Sequence, residues 1–202
     1  MPKIVDHEKQ RKMIAEATWR VIMRDGLEKA TVRNIAKETG ISVGSLRHYF
    51  ASQSELLAFS MQLVSERVKE RMSALPFSGP PLEAVKRFLC ELLPLTDETR
   101  KEMEVWLAFT QKALWDKGLQ PLSKQVYEEL RSGIRSLLEA LIRLGAVNPN
   151  VPIEMETERL YALIDGLAMH GIMQPHQLSS QEIEAVIDYH LRSIFYETVR
   201  KQ

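Results

Sequence analysis

The stretch TVRNIAKETGISVGSLRHYF, Thr31–Phe50, constrains the fold more than any other part of the chain. Thr31 is a good N-cap for a short helix, Val32–Glu38, which Gly40 terminates where a tight turn needs a permissive backbone. Ser42 caps a second short helix, Val43–Tyr49. Ala36 is small where the two helices must cross closely, and Ile35, Ile41 and Leu46 point inward as a small core. Before them, about Asp6–Arg24 reads as a helix with Ile14, Ala17, Val21 and Ile22 on one face, Trp19 at its edge and Gly26 as its stop. The pattern is a helix-turn-helix, whose second helix is sized for the major groove of DNA.

Everything after this stretch also has helical period. Ser52, with Glu55 at the capping-box position, starts a long helix that runs to about Leu75. Pro76, Gly79, Pro80 and Pro81 form the clearest linker. Further helices are predicted at Leu82–Leu93, Asp97–Asp116, Gln120–Leu144, Ile153–Met173 and Ser180–Val199, separated at Gly118, Gly145 with Pro149, and Pro175. No alternating run is long enough for a strand, so the fold class is all-α: a three-helix DNA-binding domain followed by a larger helical domain. The expected division is residues 1–51 for the helix-turn-helix domain and 52–202 for an effector-binding and dimerisation domain, with 52–75 as the connecting helix.

Composition enters through charge. The 27 Lys and Arg balance 27 Asp and Glu over 202 residues. Residues 1–50 hold ten basic and six acidic side chains, a net +4, which leaves −4 for the rest. A basic module on an acidic body suits a nucleic-acid binder better than the neutral total does. The second short helix supports that chemistry. Ser42 leaves backbone N–H groups at its start free to meet a phosphate. Gly44 and Ser45 allow close approach to base edges, Arg47 and His48 are exposed donors, and the Tyr49 hydroxyl can bond a phosphate.

The segment Gly40-Ile-Ser-Val-Gly44-Ser-Leu-Arg-His48-Tyr-Phe50, then Ala-Ser-Gln-Ser-Glu-Leu56, resembles the end of the DNA-binding domain of TetR-family transcriptional regulators. The resemblance covers Met13 to Leu57. It implies phosphate contacts from Thr31 and Arg33, and a recognition surface of Val43, Gly44, Ser45, Arg47, His48 and Tyr49, with Ser42 as its cap. At Gln53 the chain departs from the Lys usual in the family. Gln can still donate a neutral hydrogen bond, but one counterion-releasing contact is lost and salt dependence should weaken.

The C-terminal half carries two further patterns. Leu160, Leu163, Ile164 and Leu167 form one apolar stripe, and Ile183, Val186, Ile187, His190, Leu191, Ile194 and Phe195 another. In TetR-like proteins the last two helices build the dimer, so the resemblance implies a homodimer interface of Leu160, Ile164, Leu167, Ile183, Ile187, His190, Leu191 and Ile194, presenting two recognition helices to a palindromic operator. Met103, Trp106, Phe109, Trp115 and Tyr127, with Tyr161, Met169, His170 and Met173, are candidates to line an effector pocket. Plain core packing accounts equally for Met and aromatic side chains. VWLAFTQKAL at Val105–Leu114 and LYALIDGLAM at Leu160–Met169 resemble the C-terminal domain of the BetI-like branch, named for a choline-responsive repressor. An aromatic cage of Trp106, Phe109, Trp115 and Tyr161, with Glu104 or Asp165 adding charge, would suit a quaternary amine. A hydrophobic or mixed small molecule is the stronger expectation.

Other chemistries find little support. The five histidines have no metal-ligand spacing, and Cys90 on an apolar helix reads as a core residue. No nucleophile elbow or phosphate-binding glycine loop is present, so neither an enzyme nor a cofactor is expected. No signal sequence and no apolar run near the ~20 residues of a membrane span occur, and a cytoplasmic location is expected. The reading is a ligand-responsive DNA-binding regulator, most simply a repressor. The alternative is a helical small-molecule carrier or adaptor without DNA binding.

Overall fold

The computed structural model describes residues 7–195. Those residues form nine α-helices and no strand: α1 His7–Asp25, α2 Val32–Thr39, α3 Val43–Tyr49, α4 Gln53–Ala74, α5 Pro81–Cys90, α6 Asp97–Ala113, α7 Gln120–Arg143, α8 Ile153–Met173 and α9 Ser180–Ile194, with a 3-10 turn at Leu27–Lys29. The chain packs as two compact units. The first takes the described residues up to Arg67 together with Glu104–Lys124; the second takes Val68–Met103 and the described residues from Gln125 onward.

In the first unit, α1 buries Ile14, Ala17, Val21 and Ile22, the face its period predicts. Trp19, expected at the edge, is buried too, with the Arg67 guanidinium 4.7 Å from its ring centroid. Ile35, Ala36, Leu46 and Phe50 complete the small core of α1, α2 and α3. Ile41, expected in that core, is only half-buried, whereas Phe50 at the end of α3 is fully buried.

In the second unit, α8 and α9 pack on each other and α5 packs on α9. Val85, Leu89, Ile134, Leu138, Leu141, Leu160, Ile164, Ile183, Ile187 and Leu191 are buried there. Two charged networks fix the helix ends. Arg71 of α4 bonds both oxygens of the fully buried Glu102, at 2.9 and 2.7 Å, and Glu91 at 2.7 Å. Such a bidentate pair satisfies a carboxylate that burial would otherwise leave uncompensated. Arg100 donates to the carbonyls of Gly171 and Ile172 at the end of α8, at 3.0 and 3.1 Å.

The start of α9 is a capping box. Ser179 accepts from Glu182 N, and the Glu182 side chain accepts from Ser179 N. The predicted helix to Val199 ends earlier. α9 stops at Ile194, because Phe195 turns to extended backbone and bridges Val147; Val199 lies outside the described residues.

Gly171 marks the tightest contact. A Cβ there would lie 2.8 Å from Pro94 Cγ and 2.9 Å from Ile183 Cδ1. Gly171→Ala should therefore lower the unfolding free energy by about 1–3 kcal/mol, the usual range for overpacking, in urea titrations of the purified protein.

Candidate nucleic-acid interface and effector region

Local chemistry sets the helix-turn-helix. Thr31 Oγ1 accepts from Asn34 N at 3.3 Å, and Ser42 Oγ accepts from Ser45 N at 3.0 Å, so both predicted N-caps are made. Gly40 has φ 71° and ψ 14°, a left-handed conformation that ends α2, and Ile41 N donates to Ala36 O at 3.2 Å across the turn. α3 buries only Leu46 among its seven residues. Val43, Gly44, Arg47 and His48 are exposed, and Ser45 and Tyr49 are half-buried. Thr31 and Arg33 are exposed at the start of α2.

Charge on this unit is unevenly committed. Arg20 and Arg24 of α1 pair with Glu38 of α2, at 3.1 and 3.0 Å, and Arg24 also pairs with Asp25. These bonds hold the Glu38 carboxyl below the ordinary carboxylate range. Among the described residues, no acidic side chain lies within ion-pair distance of Arg33, Lys37 or Arg47. Those three cations, two of them on the predicted contact set, are left for an external anion.

Gln53 has a second attachment that spacing did not foretell. Its Nε2 donates to Ala30 O at 2.8 Å, tying the first turn of α4 to the residue before the α2 cap. The neighbouring Ser54 hydroxyl bonds the Asp116 carboxylate, which also accepts from Gly118 N at 3.0 Å. Ser52 caps α4 through Glu55 N at 3.0 Å, while Glu55 Oε2 accepts from Ala51 N at 2.8 Å, one residue before the predicted partner.

The nine predicted pocket residues divide between the two units. Trp106, Phe109 and Trp115 lie in the first unit, and Met103, Tyr127, Tyr161, Met169, His170 and Met173 in the second. Of the proposed cage of Trp106, Phe109, Trp115 and Tyr161, Phe109 and Tyr161 are buried and Trp115 is 86% exposed. Aromatic period on α6 reports its own core at Phe109 and a surface indole in the turn beyond it.

Within the second unit, Tyr127 of α7 stacks on Tyr161 of α8, ring centroids 5.1 Å apart at 23°. The Tyr127 hydroxyl donates to Glu158 at 3.3 Å, and Arg131 pairs with Glu154 at 2.8 Å and Glu158 at 3.5 Å. Asp165, one turn beyond Tyr161 on the same face, has neither ion pair nor hydrogen-bonding partner for its carboxylate among the described residues. Burial, and secondarily Glu158, pushes its carboxyl up to about 6.

The eight residues expected at the dimer interface, Leu160, Ile164, Leu167, Ile183, Ile187, His190, Leu191 and Ile194, are all buried within the single chain. The strongest apolar stripe of each helix faces its own core. His190 Nε2 lies 3.0 Å from Glu156 Oε1, and burial holds the imidazole toward its neutral form. The outward faces of α8 and α9 instead carry Met155, Ala162, Met169 and Met173, and Val186 and Tyr189.

Residues 14–58 match the profile of bacterial regulatory proteins of the tetR family, and residues 81–196 that of the C-terminal domain of BetI-type transcriptional repressors. The chain belongs to the TetR family of transcriptional regulators. It is 46% identical over 202 residues to the HTH-type transcriptional regulator PksA of Bacillus subtilis (strain 168), covering all of this chain and 97% of that one. A solved transcriptional regulator from Rhodococcus sp. Rha1 superposes with a TM-score of 0.80 at 28% identity, over 91% of this chain and 95% of the other. A transcriptional regulator from Saccharomonospora viridis, solved in complex with choline, has TM-score 0.82 at 21% identity, over 94% and 100% of the two chains, and shows the shared fold.

As a TetR-family transcriptional regulator this is a helix-turn-helix DNA-binding protein and not an enzyme. Among its described residues no group of His, Cys, Asp or Glu could hold a metal, and no helix is long and apolar enough to cross a membrane. Cys90 is partly buried and its thiol is pushed up to about 11 by desolvation, far from a reactive thiolate.

Asp165 gives a pH test. Its folded pKa is raised, so folding favours the protonated acid and stability is lost as pH rises toward about 6. Asp165→Asn should raise the thermal midpoint at pH 7.5, and the gain should shrink below pH 6 and vanish below the ordinary value of 3.8.

Proposed function

We propose that the protein acts as a homodimer on a two-fold-symmetric operator and leaves it when a small molecule binds the second unit. The observation that carries the DNA half is the outward face of α3 beside unpaired cations: Arg47 on α3, and Arg33 on α2. Thr31, Arg33 and Gln53 hold phosphates; Ser42 caps α3 through Ser45 N, which leaves the Val43 and Gly44 N–H groups for a phosphate; Val43, Gly44, Ser45, Arg47, His48 and Tyr49 face the major groove. The helix-turn-helix forms one functional domain to residue 51, and 52–75 connects it to the effector and dimerisation domain. The second copy docks on the exposed faces of α8 and α9, where Met155 and Tyr189 are 71% and 79% exposed.

The effector is an organic cation. Asp165 is a desolvated carboxylate without a counterion among the described residues, and Tyr161 and Tyr127 supply aromatic surface within the same unit. A cation there gains both ring attraction and relief of an uncompensated charge. The choline bound to the Saccharomonospora viridis relative supports this class.

Anisotropy titrations against duplex DNA flanking its own gene should show two chains per site and salt-sensitive, sequence-dependent binding. Arg33→Ala should weaken all sequences alike and lower the salt slope by about 0.9 for each protomer's lost contact. The Arg47→Ala, Tyr49→Ala double variant should lose sequence discrimination. A wild-type protein that binds no duplex at any salt defeats the regulator reading in favour of a carrier. Calorimetry should give heat with choline or betaine aldehyde for the wild type and none for Asp165→Asn; binding of apolar compounds only would reject the cation.

A further inference from the structure

The first turns of α1 touch the end of the recognition helix through rings. His7 stacks on Tyr49, with centroids 4.8 Å apart and the planes tilted by 37°. One turn further along the same face of α1, Arg11 lies over a pair of aromatic rings, its guanidinium carbon 4.6 Å from the Phe50 centroid and 4.5 Å from that of Phe59. Phe50 and Phe59 in turn pack at 5.4 Å. Arg11 Nε is buried with no hydrogen-bond acceptor among the described residues, and its nearest carboxylate, Glu55, is 3.9 Å away. The guanidinium is therefore held for its flat cationic face more than for its donors.

These contacts fall where α3 has least support of its own. Leu46 is the only side chain within α3 that is buried, and Phe50, its C-cap, is the next anchor. Between them Tyr49 is half-buried and could swing on a helix of seven residues. We propose that His7 and Arg11 form an aromatic clamp that sets the pose of the last turn of α3, so that both are positioning residues for operator binding and neither touches the DNA. The clamp rests on the reading that puts Tyr49 on the operator.

Operator affinity of the full-length protein across a salt series tests it. His7→Ala should bind about tenfold more weakly, because a dimer loses two ring contacts, with an unchanged salt slope. His7→Phe keeps an aromatic ring and should bind within about twofold of wild type. His7→Lys replaces the ring with a flexible cation and should resemble His7→Ala. In a Tyr49→Ala background, His7→Ala should cost nothing more. Arg11→Lys, which keeps the cation but not its flat face, should weaken binding with the slope again unchanged.

Rescue by Lys but not Phe at position 7, a lower slope in His7→Ala, or an undiminished His7→Ala effect in the Tyr49→Ala background each overturns the clamp. So does wild-type affinity in Arg11→Lys. If Tyr49→Ala itself leaves affinity unchanged, the placement of Tyr49 on the operator falls and takes the clamp with it. That result is distinct from the clamp's own failure, in which Tyr49→Ala weakens binding and His7→Ala does not.

Discussion

The turn between α2 and α3 depends on a backbone at φ 71°, and the outward placement of α3 follows from it. Gly40 adopts that conformation without a Cβ clash, which lets α2 end, lets Ile41 N reach back to Ala36 O, and starts α3 at a new angle within three residues. Isolated helices of seven and eight residues are not stable in water. Their existence here requires Ile35, Ala36, Leu46 and Phe50 to be buried together with the apolar face of α1. Once that core is satisfied on one side, the other side of α3 has no core to face, and Val43, Gly44, Arg47 and His48 are left outward. Exposure of the recognition surface is thus a consequence of how little of α3 the core needs.

Charge follows the same logic of commitment. The basic excess of the first fifty residues would attract DNA only weakly if all of it were paired. Arg20 and Arg24 are committed to Glu38 and Asp25, where they join α1 to α2. Exposed pairs of this kind stabilise little and serve registry more than stability. Arg33, Lys37 and Arg47 remain as the cations without acidic neighbours among the described residues. A chain with zero net charge can therefore carry a local basic surface, because pairing subtracts cations selectively.

In the second unit the informative groups are those the core does not satisfy. Glu102 and Asp165 are both carboxylates drawn out of water, but Glu102 meets Arg71 through both oxygens and Asp165 meets no cation among the described residues. The first is structural, since its desolvation is compensated within the fold. The second keeps an unmet electrostatic demand beside stacked tyrosines. Gln53 shows the converse. Its amide is tied to Ala30 O, so this departure from the family's Lys joins α4 to the cap of α2.

Helix placement, both N-caps of the helix-turn-helix, the Gly40 turn and the α1 face were legible in the sequence, because each depends on neighbours within about four residues. The burial of the residues expected at the dimer and pocket was not. Helical period finds the strongest apolar stripe, and in α8 and α9 that stripe lies in the protomer core, while the face with Met155 and Tyr189 is too mixed to stand out. Trp115 and Phe109 look alike as residue types yet are 86% and 1% exposed. The sequence alone determined the family, the all-helical fold and the recognition element, since local capping and periodicity specify them. Only the tertiary structure decided which cations stay unpaired, which carboxylate lacks a partner and which rings meet, because those depend on contacts between residues far apart in the chain.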